Sequence, residues 1–380
     1  MKILFDHQAF DMQRHGGVSN CFVQLISKFP DDVKYELSLL ECDNVHLRES
    51  NLLLIPPMSQ SPRDFLLKKH FYGQGKLYDL YSRFFPQKTS LGRNRLFSIK
   101  RLKEGEFDVF HPTFFDDYFL EFLGRKPFVL TIHDMIAELF SRKENSHILQ
   151  KKRLALAANH IIAVSKQTKE DILKYLDVPD NKVSVIYHGA PVSNSTKAEK
   201  ALVEGKYILF VGERTGYKCF IPMLRELIPF LENDKTLRIV CTGKCFTKSE
   251  KSFFVDQHIQ DQMIHIAPSD MGMANLYDHA LCFIYPSVYE GFGIPILEAY
   301  KAGCPVLLNK KSCFPEIAQD AAIYFYLDYN GSNLADVMNS FLSMNDIQID
   351  YLLEKQKERL KYFSWKKSAE QLCKIYETII

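Results

Sequence analysis

The chain has 380 residues, 46% hydrophobic and 25% charged, the composition of a folded globular protein longer than one core usually serves. A formal net charge of +2 excludes binding of nucleic acid through bulk charge, and no run approaches the roughly 18 apolar residues of a membrane span. Nine cysteines at irregular spacing exclude a disulfide framework and point to reduced thiols in a cytoplasm; Cys241 and Cys245 have no second pair to complete a zinc site. The opening KILFDHQAF is too short in its apolar part for a signal peptide.

In chain order, Lys2–Asp6, Tyr35–Leu40, Asp108–His111, Phe128–His133, His160–Ser165 and Val183–Tyr187 read as strands. Helices are expected between them, at Val18–Phe29, Ser146–Asn159 and Lys166–Leu176. Near-continuous apolar strands separated by helices describe a parallel sheet covered on both faces. A polar linker follows, and the alternation restarts with Tyr207–Val211, Leu237–Cys241, Met263–Ile266, Leu281–Tyr285, Pro305–Leu308 and Ala322–Phe325. Two α/β domains are therefore expected across a cleft: residues 1–190 and 206–350, with linker 191–205. A helical tail, 351–380, is expected to pack back across both. Ligands of such sheets bind at the carboxyl ends of the strands.

Between residues 60 and 104 eleven lysines and arginines meet only three acids, with phenylalanines and tyrosines interleaved. That composition suits an anionic acceptor or a membrane surface, and equally a solvated helical face with its aromatics in the core.

After the strand Leu281–Tyr285 comes PSVYEGFGIPILEA. Pro295 suits the first turn of a helix, and Gly291 and Gly293 let backbone approach a ligand closely. A helix N-terminus with free amides favours phosphate. Glu298, one turn inside, can accept from a ribose diol, while Glu290 points at whatever the phosphate carries. The spacing equally admits Glu290 as a helix cap and Glu298 as a surface acid. Arg214 and Lys218, after the strand Tyr207–Val211, are two cations able to offset charge on a leaving group, or else solvated loop charges. Gly212 and Gly216 are too close for a Walker P-loop. HGGVSN (15–20) holds a glycine pair before a helix, which a plain turn also explains, and TIHD (131–134) ends a strand with His133, whose plain reading is a satisfied core histidine.

EGFGIPILEA followed by AGCPVL strongly resembles the Glu-x7-Glu motif of retaining, family-4 type glycosyltransferases (group 1) of the GT-B fold. IIAVSKQTKEDI, VIYHG, FVGERTGYK, LYDHALCFIYPS, FPEIAQDAAIYF and FSWKKSAEQLCKIYE resemble further segments of that family in the same order. The resemblance implies two Rossmann-like domains facing across a cleft. It implies that Arg214 and Lys218 clamp the donor diphosphate, and that Gly16 and Gly17 lie over it. It places His133 beside the transferred sugar, with Glu290 holding that sugar's hydroxyls. Gly291, Phe292, Gly293 and Ile294 would line the donor site, and Glu298 would hold the ribose. Two departures stand out: His188 occupies a position where the family often has asparagine, read here as structural, and Glu213 precedes Arg214.

By the same resemblance, the reaction moves a hexose from a nucleotide-diphosphate sugar to a hydroxyl with the anomeric configuration kept. The acceptor would be a glycan or a polyprenyl-linked glycan, in bacterial surface-polysaccharide or glycoconjugate synthesis. The donor sugar is the substrate, no other cofactor is implied, and no Asp-x-Asp triplet suggests a metal. The Tyr217-Lys218 loop tilts the donor from UDP-linked sugars towards GDP-mannose, and the segment His265–Ser269 is the expected base contact. Nucleic acid is not an expected partner; contact with the cytoplasmic face of the inner membrane through 60–104 is. A GT-B epimerase and a non-catalytic nucleotide-sugar-binding protein are the competing readings.

Overall fold

The structure, a computed structural model, describes residues 1–12, 14–59, 73–141, 145–191, 200–328 and 330–380. The first part of the basic stretch (60–72) and most of the expected linker (192–199) lie outside the described residues. The chain divides into two units. The first comprises Met1–Val164, Thr168–His188 and Trp365–Ile380; the second comprises Ser165–Gln167 and Gly189–Ser364.

The first unit carries β1 (Lys2–Phe5), β2 (Lys34–Leu37), β3 (Val109–His111), β4 (Val129–Ile132), β5 (His160–Ala163) and β6 (Val183–Val185). They form two parallel three-stranded sheets, β2-β1-β3 and β4-β5-β6, linked by one parallel bridge between Phe110 and Phe128. Strands β3 and β4 are buried along their whole length, which is why their sequences show continuous apolar runs and no alternation. The helix Gly17–Ile26 lays Phe22 edge-on against Phe5, with ring centroids 5.9 Å apart. Each such ring removed from water contributes roughly 2–3 kcal/mol.

The second unit carries β7 (Tyr207–Phe210), β8 (Arg238–Cys241), β9 (Met263–His265), β10 (Cys282–Tyr285), β11 (Val306–Asn309) and β12 (Ile323–Phe325). All pair in parallel, in the order β12-β11-β10-β7-β8-β9. The strand order reverses between β10 and β7. In open parallel sheets, loops diverging from such a switch point leave a crevice at the carboxyl ends of the strands. The loops after β7 and β10 are tied together there by a 2.8 Å bond from Val288 N–H to the Tyr217 carbonyl.

The tail differs from the single helix expected. A capping box of Asn345 and Gln348 starts one helix at Asp346–Leu360, in the second unit, and a separate helix, Trp365–Ile379, belongs to the first. The break falls where Phe363 turns inward, 4% exposed, against Phe292 at 5.7 Å, while its carbonyl accepts the N–H of Ala190. Trp365, Leu372, Cys373 and Tyr376 then join the core of the first unit.

Candidate active site

In the second unit, β10 ends at Tyr285 and the loop to Gly293 carries the first acid. Gly293 adopts φ 93°, ψ 52°, a left-handed conformation that caps the helix Ile294–Ala302 without any capping side chain. A Cβ at Gly293 would lie 3.0 Å from Ile296 Cδ1, so both backbone and packing favour glycine. Pro295 occupies the first turn, as expected. The loop is clipped from behind: Ser312 Oγ donates to the Glu290 carbonyl at 2.8 Å, and Cys313 Sγ to the carbonyls of Glu290 and Phe292, both at 3.2 Å.

The Glu290 side chain is 8% exposed, and its Oε1 accepts from Lys218 Nζ at 2.5 Å. Lys218 Nζ also lies 5.5 Å from the centre of the Tyr285 ring, whose phenol is pushed well up by burial and by the neighbouring Glu290 carboxylate. The structure thus brings together one acid and one cation predicted from separate motifs. One turn into the helix, Glu298 Oε2 accepts from the buried Tyr277 hydroxyl at 3.1 Å.

Arg214, expected to clamp the diphosphate, meets acceptors of the protein itself. Its Nε donates to Glu250 at 2.7 Å; its terminal nitrogens donate to the carbonyls of Thr242 (3.1 Å), Lys244 (2.5 Å) and Cys245 (3.1 Å). The guanidinium also lies 4.9 Å from the Phe246 ring centre. Four of its five N–H donors are engaged by protein acceptors, so it fixes the loop after β8. Within that region the backbones of Gly212 and Gly243 touch: a Cβ at Gly243 would come 2.6 Å from the Gly212 carbonyl oxygen. His265, in the expected base-contacting segment, pairs through Nε2 with the Gly243 carbonyl at 2.9 Å.

The remaining predicted residues belong to the first unit. Gly16 caps the helix Gly17–Ile26 in extended backbone, and a Cβ on Gly17 would meet nothing within 4 Å. The added methyl at Gly17 therefore meets open space before the helix N-terminus. His133 follows β4; burial lowers its pKa to about 4, Asp134 opposing, so it is neutral at pH 7. Its buried Nε2 has no hydrogen-bond partner. Asp134 Oδ1 accepts from Ile136 N–H at 3.0 Å, bracing the loop that carries the histidine.

His188, read from the sequence as structural, stacks on His133 with ring centroids 5.7 Å apart and planes 21° apart. Its Nδ1 meets the Cys21 thiol at 3.3 Å. Ligand atoms of Cys21, His133 and His188 lie within 4.8 Å of one another, the one such group of three among the described residues. The set suits zinc by ligand type, and burial keeps His188 neutral, but burial also raises the Cys21 thiol, which disfavours the thiolate a metal needs.

Comparison with known proteins now bears on this geometry. A family described as "Glycosyl transferases group 1" matches residues 193–362, and "Glycosyltransferase Family 4" matches residues 60–194. The two matches together span residues 60–362, and both describe glycosyltransferases. It is 29% identical over 206 residues to the O-antigen chain mannosyltransferase RfbU of Salmonella typhimurium, covering 51% of this chain and 55% of that protein. It is 31% identical over 110 residues to O-antigen chain mannosyltransferase B of Escherichia coli, covering 29% of this chain and 28% of that one. The chain therefore spans about half or less of the length of these relatives. Among solved structures it is similar to Anabaena Alr3699/HepE in complex with UDP and glucose, with TM-score 0.73, 16% identity and 100% of each chain covered. Sucrose-phosphate synthase of Thermosynechococcus elongatus gives TM-score 0.69 at 14% identity, over 100% of this chain and 98% of that one. The fold is GT-B.

Several residues that shape the candidate site escaped the sequence reading. Tyr277 and Tyr285 were visible only as strand and helix residues, and Glu250 as one surface acid among many. Ser312 and Cys313 carried one signal, their place just before the matched FPEI segment. In the basic stretch, Arg93 pairs with Glu41, Arg95 with Asp116 and Arg101 with Glu36, so part of its positive charge is already neutralised. Nearby, Leu77, Leu80, Phe84 and Phe85 are exposed. No helix among the described residues is long and apolar enough to cross a membrane.

Proposed function

We propose that the protein is a retaining glycosyltransferase that moves a hexose, mannose by preference, from a nucleotide-diphosphate sugar to a hydroxyl of a glycan or polyprenyl-linked acceptor. The observation that carries this reading is the Lys218–Glu290 pair at the switch point of the second sheet, beside the uncapped N-terminus of the helix Ile294–Ala302. Helix amides and Lys218 suit the diphosphate. Glu298 suits the ribose, and Glu290 the sugar hydroxyls. The mannosyl preference and surface-polysaccharide setting rest on the relatives' names. UDP in a structure of the same fold supports a nucleotide donor.

In the step proposed, the acceptor oxygen bonds to the anomeric carbon on the face from which the diphosphate leaves. The bond from that carbon to the phosphate oxygen breaks, its electron pair going to the diphosphate. The hydroxyl proton passes to a departing phosphate oxygen. Lys218 and the helix amides stabilise the leaving charge, Glu290 the positive charge on the sugar, and Arg214 holds the loop after β8 in place. Neutral His133 would lie beside the sugar. No metal is assigned a part.

The test is a binding panel of UDP, GDP, UDP-glucose and GDP-mannose without added metal, followed by transfer assays with chelator and NMR of the product's anomeric proton. Binding of one nucleotide, chelator-resistant transfer and an α-linked product from an α-linked donor are expected. An inverted product refutes the retaining step. Binding without any turnover favours the non-catalytic reading. Contact with the cytoplasmic face of an anionic membrane is proposed through Leu77, Leu80, Phe84 and Phe85. Failure to co-sediment with vesicles containing phosphatidylglycerol would remove it.

A further inference from the structure

The first unit holds a cavity of about 890 Å³ lined by none of the residues assigned above, within the ~300–1,000 Å³ of small-molecule sites. Its wall begins where β1 ends. Asp6 is buried with both oxygens occupied: Oδ1 accepts from Thr113 N–H and Oγ at 2.8 and 2.7 Å, and Oδ2 from Gln8 Nε2 at 2.7 Å. That fixes the turn which carries His7. His7 is 4% exposed, and its Nδ1 lies 2.5 Å from Asp11 Oδ2; Asn94 Nδ2 donates to the other Asp11 oxygen at 2.8 Å. One ring nitrogen is thereby locked. The other, Nε2, is buried and has no partner.

An unsatisfied buried nitrogen at a cavity wall disfavours the empty state and is relieved by a ligand group that reaches it. With Nδ1 committed to a carboxylate, Nε2 accepts when the ring is neutral and donates when it is charged. A hydroxyl answers both states, whereas an ammonium or a phosphate answers only one. Burial opposes charging His7, but the Asp11 carboxylate outweighs it and leaves the group raised.

The rest of the wall agrees with a polyol. Arg95 and Asp116 neutralise each other at 2.9 Å, and Gln8 Oε1 accepts the Asp116 N–H at 2.8 Å. Phe114 and Phe115 line it beside His147, 5.4 Å from each, while Leu96 and Ile99 add apolar surface. Arg83 adds a cation to the lining, but at the His7 end the charges are paired, and an amide, aromatic rings and one unanswered imidazole nitrogen suit a pyranose, with its apolar C–H face and its hydroxyl rim.

We propose that this cavity receives the terminal sugar of the acceptor, and that His7, held by Asp11, binds one of its hydroxyls. The assignment as acceptor rests on the transferase reading; the sugar site itself does not.

The test uses the full chain and saturation-transfer NMR with the methyl α-glycosides of mannose, glucose and galactose. UDP and GDP are titrated into the same samples by thermal shift. At least one glycoside is expected to bind. His7→Asn keeps a donor for Asp11 but removes Nε2 with the outer ring carbons, so it should weaken that glycoside roughly fivefold. Leu96→Trp, which sets a bulkier ring in the cavity wall, should weaken the signal too. A nucleotide shift retained in both variants shows that they fold. No binding by any of the three glycosides, undiminished binding in both variants, or displacement by inorganic phosphate overturns the proposal. Glycoside binding without nucleotide binding would keep the sugar site and sink the transferase reading instead.

Discussion

Changing Glu290 to glutamine separates the donor's two halves. The substitution keeps the shape and an acceptor for Lys218 but removes the charge. At 2.5 Å and an effective dielectric constant of ~20, the gross attraction in the pair is about 7 kcal/mol, most of it offset by desolvation. The net difference between a charged and a neutral acceptor is about 1–1.5 kcal/mol. For a unit of this size that is a fall of roughly 2–6 °C in Tm. Lys218, no longer neutralised, should bind a nucleotide diphosphate as well as before or up to about tenfold tighter. Transfer should move the other way: loss of a carboxylate placed at developing positive charge costs on the order of a hundredfold in kcat. Calorimetric titration of GDP and UDP, nucleotide release during turnover and thermal melting measure the three quantities. If nucleotide affinity falls in step with transfer while Tm barely moves, Glu290 serves the nucleotide rather than the sugar, and the assignment of roles is wrong.

Glu298→Ala should weaken the nucleotide by about ten- to a hundredfold, the worth of hydrogen bonds to a charged acceptor, with Tyr277→Phe intermediate; equal Kd values in all three proteins would remove Glu298 from the ribose. Gly17→Ala should leave Tm unchanged or slightly raised, since the added methyl meets nothing within 4 Å, while transfer falls at least about tenfold; unchanged transfer would show that the ground before that helix need not be clear. Burial holds His111 at about 3 and His133 at about 4, below the unfolded value near 6.5. The unfolded chain therefore binds more protons below pH ~6.5, and stability is lost as pH falls from there towards 4, by about 2–3 kcal/mol between pH 7 and 5.5 for the two groups. His7, raised by Asp11, offsets part of it. Urea unfolding at the two pH values checks this; equal midpoints would mean these rings are solvated.

Much of the fold was legible because buried parallel strands write themselves as uninterrupted apolar runs. Each of the twelve expected strands is present, generally trimmed by a residue or two: Tyr35–Leu40 became Lys34–Leu37, and His160–Ser165 became His160–Ala163. The tail was misread for a reason that periodicity does not contain. Its apolar rhythm continues through Phe363, but that ring is drawn onto Phe292 and its carbonyl onto Ala190, contacts fixed by residues far away in sequence. The true start of the preceding helix was in principle readable, since Asn345 and Gln348 have capping-box spacing.

For the site, spacing within one element carried the reading and partners between elements did not. The turn at Gly293, the proline after it and Glu298 one turn on all belong to a single loop and helix, so their order along the chain is nearly their order in space. Arg214 and Lys218 sit four residues apart on one loop and look equivalent in sequence. The sheet makes them different. Strand β7 lies between β10 and β8, so the loop that follows it borders both neighbouring loops. Lys218 reaches towards β10 and Glu290, whereas Arg214 reaches towards β8, the carbonyls of 242, 244 and 245, and Glu250. Which neighbouring loop each cation meets is thus set by strand order. A sequence reading recovers that distinction only after it commits to the order 12-11-10-7-8-9 and asks what each neighbouring loop offers.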